Sequence, residues 1–196
     1  LHVAHAGLFT LGGYICVIVT NQTSSFLIAV LTSMILVGLA GMIIYRICYQ
    51  PILDQPPFVP LIASIGLFIA MEELFRIFFG AYGLSFTEVP LQEPLALMQI
   101  NLKQAEWLTI ASSVGFVAML AFLANRTKLG LAWKATVTDP EIASSFGVNI
   151  IQVRYLNFFI GSSLAAVSGC MMAVLNNLVE PTMGSVPSYK MLAIIV

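Results

Sequence analysis

Charge is what this chain has least of. Only 9% of its 196 residues are Asp, Glu, Lys or Arg, against about 25% in an ordinary soluble domain. A water-soluble surface cannot be built from so few charges. The net charge of −1 excludes a nucleic-acid binder, which needs a basic face to meet phosphates. Cysteine is also scarce: Cys16, Cys48 and Cys170 are scattered in or beside apolar runs. That is neither a disulfide framework nor a metal cluster, and the three read as buried, inert thiols. No basic stretch precedes the first apolar run, so a signal-peptide pattern is missing. No glycine-rich phosphate loop, nucleophile elbow or metalloprotease motif occurs. The chain is therefore expected not to hydrolyse ATP itself, and no metal or cofactor is expected in it.

What the chain has is apolar sequence, 59% of the total, gathered into long runs. About 20 apolar residues carry a helix across the hydrocarbon core. A barrel would alternate apolar and polar residues over roughly ten-residue segments, and these runs do not alternate. The expected fold is all-α, a polytopic transmembrane bundle of about five spans and a truncated sixth. The spans are expected near Val3–Thr20, Phe26–Tyr49, Val59–Phe79, Trp107–Ala124 and Tyr155–Leu178. Prolines 51, 56 and 57 break the chain after the second span, because proline lacks the amide donor. Position 1 is Leu, and only six apolar residues, Met191 to Val196, begin the sixth span. The expectation is one domain over 1–196, an internal fragment incomplete at both ends.

Alternating spans place Arg46, Arg126, Lys128, Lys134 and Arg154 on one side, and Lys103 and Lys190 with several glutamates on the other. The bias marks the first side as cytoplasmic. In the fifth span Gly161, Ala165 and Gly169 recur every fourth residue, the spacing that lets helix backbones approach closely in lipid. Gly38, Gly41, Gly12 and Gly13 are candidates for the same role.

Three positions carry possible chemistry. The first is the loop 125–154 on the basic side, where Asp139 is placed to cap a short helix, Pro140 suits its first turn, Glu141 suits its positive end and Gly147 suits its end. Ile142 and Phe146 share a face with Ala143 beside them. That face either docks into a partner's groove or rests on the bilayer or on the protein itself. The second is Glu72, Glu73 and Arg76 in the third span, roughly 20 to 25 Å along the helix. They either line a substrate path or form an ion pair near the outer interface. The third is His2 with His5, a poor metal site without a carboxylate or thiol close by; hydrogen bonding at a helix start is expected.

The stretch Lys128-Leu129-Gly130-Leu131-Ala132-Trp133-Lys134-Ala135, followed by Asp139 to Gly147 and Val148-Asn149-Ile150, resembles the cytoplasmic loop of branched-chain amino acid ABC transporter permeases. Lys134 stands where arginine is usual. Glu141, Ala143 and Gly147 also match the E-A-A-x-x-x-G pattern of bacterial import permeases, with Ile142 in place of its first alanine. Ala4-His5, Gly12-Gly13-Tyr14, Tyr49-Gln50-Pro51, Phe159-Ile160-Gly161, Ala165-Ala166, Gly169, Pro181, Met183-Gly184 and Lys190 resemble further family segments in the same order. The resemblance covers nearly the whole chain.

This resemblance implies a permease subunit of an importer in the bacterial inner membrane that translocates branched-chain amino acids. Asp139, Glu141, Ile142, Ala143, Phe146 and Gly147 would form a coupling helix docked on an ABC ATPase subunit, which binds the ATP. A second permease subunit and an extracytoplasmic substrate-binding protein would complete the assembly. A sister permease for urea or short amides would share these motifs. A more distant alternative is an ion-coupled secondary transporter using Glu72, Glu73 and Arg76. A membrane enzyme with catalytic His5 or Glu72 lacks a supporting partner residue.

Overall fold

The computed structural model describes residues 3–53, 55–56, 58–97 and 100–195. His2, Asp54 and Val196 lie outside the described residues. Among the described residues there are eight α-helices: α1 (His5–Thr23), α2 (Phe26–Ile44), α3 (Phe58–Phe79), α4 (Gln104–Arg126), α5 (Lys128–Thr138), α6 (Pro140–Ser145), α7 (Ile150–Asn176) and α8 (Ser185–Ile195). Among the described residues four helices are long and apolar enough to cross a membrane: α2 with its continuation to Ile52, α3, α4 and α7. The molecule is a multi-pass helical membrane bundle, as its composition implied.

The fifth long helix, α1, has polar ends in His5 and Asn21-Gln22-Thr23, which dilute its hydropathy. Its 19 residues still reach about 28 Å. The sequence placed a polar turn over 21–25, but α1 runs through Thr23 and turns only at Ser24, which takes a left-handed conformation. Pro51 has no amide hydrogen to give to the carbonyl one turn back. The second span therefore widens into a π turn over Tyr45–Tyr49 and tightens into a 3-10 turn over Gln50–Ile52.

The core centres on α1, which packs along α7 and α2 and also meets α3. Glycines make that approach possible. A Cβ on Gly12 would fall on the backbone of Ala166, and one on Gly169 would fall on the Phe9 carbonyl. On the α2 side, Gly38 faces Phe159 and Ser163, and Gly41 faces Ser162. Hydroxyls tie the seams: Ser33 Oγ donates to the Gly12 carbonyl at 2.9 Å and Ser163 Oγ to the Met34 carbonyl at 2.9 Å. Interhelical hydrogen bonds and close backbone contact are the cohesive forces left where lipid is as apolar as leucine. Tyr14 stacks on Phe79 at 4.2 Å between ring centres, joining α3 to α1. Cys16 and Cys170 are fully buried, whereas Cys48, expected to be buried, is half-exposed.

The polar segment 80–103 folds into two small sheets. β1 (Leu84–Ser85) pairs antiparallel with β4 (Leu178–Val179), and β2 (Pro94–Leu97) pairs antiparallel with β3 (Ile100–Lys103). Both lie at the end of the bundle opposite the basic residues. Asn21 fastens the first of them to α1: its amide nitrogen donates to the Ser85 carbonyl at 3.1 Å, and its oxygen accepts from the Thr87 amide at 2.9 Å.

After α7 the chain turns back along α1. Val179 and Met183 sit against Gly13, and Gly184 lies against the Ala6 carbonyl and the Thr10 hydroxyl. The sequence predicts a simple loop here; the structure has a re-entrant stretch with a 3-10 turn over Pro181–Gly184. Irregular backbone survives at membrane depth only inside protein, and Val179, Pro181 and Gly184 are all buried.

Candidate functional site

At the basic end the chain forms a helical hairpin. Gly130 lets α5 begin hard against the last turn of α4, where a Cβ would meet the Leu123 and Ala124 carbonyls. Thr127 caps α5, its Oγ1 accepting from the Gly130 amide at 3.1 Å and donating to the Leu123 carbonyl at 2.6 Å. The sequence suggested one short helix in the loop; there are two, and α7 begins five residues earlier than expected, at Ile150.

α6 is only six residues long, too short to persist without support. Its ends supply that support. Asp139 Oδ1 accepts from the Ile142 amide at 3.0 Å, and Pro140 opens the helix. Gly147 adopts φ +82°. The Gly147 amide donates to Ser144 O at 2.9 Å and the Val148 amide to Ala143 O at 3.1 Å, the paired closure of a Schellman end. Ala143 is buried, while Ile142 is 56% and Phe146 84% exposed. A cleft of about 500 Å³ lies between α5 and α6, walled by Leu131, Ala135, Ile142 and Phe146. The two large apolar side chains thus stand at the open edge of a concave, largely apolar surface. Asp139→Ala removes one of two end clamps, a loss of about 1 kcal/mol. Amide exchange of the α6 amides is expected to accelerate about fivefold, with α5 and α7 unchanged; equal exchange would show that the cap does not hold the helix.

Glu72, Glu73 and Arg76 come together on α3. Arg76 Nη1 lies 2.7 Å from Glu73 Oε1, and Nη2 lies 3.3 Å from Glu72 Oε1. The side chains of Arg76 and Glu73 are 42% and 53% exposed, against 18% for Glu72. The cluster therefore faces away from the core, three to seven residues before the end of the helix.

The small residues of α7 divide their work differently from a single stripe. Gly161 faces His5, and Gly169 faces Phe9. The contact with Gly12 is made by Ala166, and Ala165 is only half-buried. His5 also lies beside Phe158, with ring centres 6.1 Å apart.

A second cavity, about 570 Å³, opens between α4, α7 and α8. The α4 residues that line it recur at 109, 112, 113, 116, 117 and 120, and the α7 residues at 164, 167, 168, 171, 172 and 175. Each set is one face of a helix. Lys190 lies on the wall contributed by α8. By sequence Lys190 groups with the outer-side charges, and Thr109, Ser112 and Ser113 stand out for no chemistry. The Thr-x-x-Ser-Ser spacing in an otherwise apolar span was the available signal.

A bundle of membrane-length helices with a capped hairpin at its basic end defines a polytopic helical membrane protein. The family model described as branched-chain amino acid transport system / permease component matches residues 1–196. The chain belongs to that family. It is similar to the high-affinity branched-chain amino acid transport system permease protein LivH of Salmonella typhimurium, 24% identical over 208 residues and 97% of this chain. LivH of Escherichia coli strain K12 is 23% identical over the same share. BraD of Pseudomonas aeruginosa, named as a permease protein of the same kind of system, is 24% identical over 203 residues, again 97% of this chain. The chain spans 66% of the length of each of these relatives. No solved structure matches it.

Proposed function

We propose that this chain is the membrane-spanning permease part of an importer for branched-chain amino acids in the bacterial inner membrane, driven by ATP hydrolysis in partner subunits. The observation that carries the reading is the family match over the whole of 1–196. The three relatives are named for high-affinity branched-chain amino acid transport. The α5–α6 hairpin supports the coupling role: a clamped helix presents Ile142 and Phe146 at the edge of an apolar cleft, the geometry a helix-in-groove contact needs. Asp139, Glu141, Ile142, Ala143, Phe146 and Gly147 act mechanically, docking on an ATPase subunit. The chain itself performs no catalysis and carries no cofactor. A second permease subunit and an extracytoplasmic binding protein complete the machine. Closure of the ATPases moves α6 and, through α5, the foot of α4.

Co-purification of the full-length protein with its ATPase subunits tests this. Glu141→Lys reverses the charge at the head of α6. Gly147→Asp forces a left-handed position onto a residue with a side chain, at about 1 kcal/mol. Both variants are expected to insert normally and to lose most of the bound ATPase. Undiminished co-purification in both would overturn the coupling role. Leucine uptake in vesicles driven by an ion gradient without ATP would favour a secondary transporter instead.

A further inference from the structure

The cavity between α4, α7 and α8 has the chemistry of an amino-acid site. Its volume of about 570 Å³ falls within the roughly 300–1,000 Å³ of small-molecule pockets. Most of its wall is apolar, with Phe9, Phe116 and Met171 among the larger side chains. Two kinds of polar group interrupt that wall, and they have opposite character.

The first kind is hydroxyl. Thr109 Oγ1 donates to the Ala105 carbonyl at 2.7 Å, Ser112 Oγ to the Thr109 carbonyl at 3.0 Å, and Ser113 Oγ to the Thr109 carbonyl at 2.7 Å. Across the cavity, Ser168 Oγ donates to the Leu164 carbonyl at 3.0 Å. Each hydroxyl hydrogen is already used on its own helix. What these groups offer the cavity is lone pairs, which suit a cationic donor. The second kind is Lys190, three donors and no acceptor. Among the described residues no carboxylate pairs with it, since the ion pairs found there are those of Arg76. Lys190 is exposed on that largely apolar wall, and an ammonium facing lipid is costly unless an anion reaches it. Phe9, from the first half of the central helix, lies in the same wall.

We propose that this cavity is the translocation-path site for the substrate, holding an apolar amino acid as its zwitterion. The carboxylate meets Lys190, the ammonium meets the hydroxyls of Thr109, Ser112, Ser113 and Ser168, and the hydrocarbon side chain lies against Phe9, Phe116 and Met171. The inference rests on the reading of the chain as an amino-acid permease and adds the residues that would recognise the substrate. A neutral amide such as urea has no carboxylate for Lys190, so the site favours an amino acid.

The test uses the complete importer, with the full-length chain, in proteoliposomes. Lys190→Met removes the cation and keeps the length of the side chain. Leucine uptake is expected to fall about tenfold or more, the scale of one charge-assisted hydrogen bond, while the ATPase subunits remain bound. Lys190→Arg is expected to retain most of the uptake. A second measurement does not depend on transport. Ser113→Cys, in a Cys48→Ser background, is expected to react with a water-soluble thiol reagent and to be protected by millimolar leucine but not by urea. Uptake by Lys190→Met equal to that of the parent, or labelling of Ser113→Cys that leucine does not slow, would overturn the site. A cysteine unreactive in all conditions, or one that cross-links to a second permease copy, would also overturn it, since the groove would then be filled by lipid or protein. If the parent importer moves no amino acid at all, the functional reading itself has failed; if the parent moves leucine and both variants behave like it, only the site has.

Discussion

Gly169→Ala is expected to remove most of the folded protein recovered from membranes. The added Cβ would press into the Phe9 carbonyl oxygen and come within 3.1 Å of the Gly13 amide nitrogen. Both are backbone atoms of α1, so no rotamer change relieves the contact. Moving α1 away would open its contacts at Gly12 with Ala166 and strip the Ser33 bond to the Gly12 carbonyl. Overpacking of this kind costs about 1–3 kcal/mol or more, and tenfold in the folded ratio needs only about 1.4 kcal/mol. Gly66 and Gly115 have nothing within 4 Å of a built Cβ. Gly66→Ala and Gly115→Ala are therefore expected to purify like the parent, with a thermal midpoint in detergent equal to or above it, because alanine favours helix. Equal recovery of all three variants would mean that α1 and α7 do not pack as described.

Arg76→Leu is the second large effect. It leaves Glu72 and Glu73 without the guanidinium that both now touch, at 3.3 and 2.7 Å. A carboxylate deep in a membrane helix costs about 2.5–3.5 kcal/mol on insertion scales, and this cluster lies in the last third of α3, where part of that cost remains. Membrane-inserted, monodisperse protein is expected to drop about tenfold. Glu72→Gln and Glu73→Gln added to Arg76→Leu are expected to restore it, since the uncompensated charges are then gone. Restored folding together with lost uptake would assign the cluster to the path of the substrate; restored uptake would leave it as an ion pair and nothing more. Normal recovery of Arg76→Leu would show that the cluster faces water.

How much of this could be read beforehand follows from how local each feature is. The apolar runs set the spans because a membrane demands length and continuity, and α3 was placed to within one residue. The ends of α6 were legible because capping is local: Asp139, Pro140 and Gly147 lie within nine residues of one another. Other boundaries moved because polar residues need not end a helix. Asn21 stays helical while its side chain binds the β1 region, and Trp107 reads as a start although α4 begins three residues earlier, with Glu106 accepting from the Lys103 amide at 2.8 Å. The re-entrant 178–184 stretch was illegible, since its burial depends on glycines at positions 13 and 83, far away in sequence. The cavity is of the same kind. Its two walls lie more than forty residues apart, and Lys190 on its own looked like one more surface charge.

One asymmetry in the bundle has a mechanical meaning. Ala105 is the buried residue of α4, and it lies in the first turn, where its amide donates to the Leu91 carbonyl at 3.0 Å. The helix is clamped there and loosely packed along the rest of its length, which makes it a cantilever. Its 23 residues give an arm of about 34 Å, so a tilt of about 10° about the clamp carries the free end roughly 6 Å. The α5–α6 hairpin is mounted at that free end, and the hydroxyls at 109, 112 and 113 lie close to the fulcrum. A displacement imposed at the basic end would thereby be geared down to a smaller one where Thr109, Ser112 and Ser113 stand.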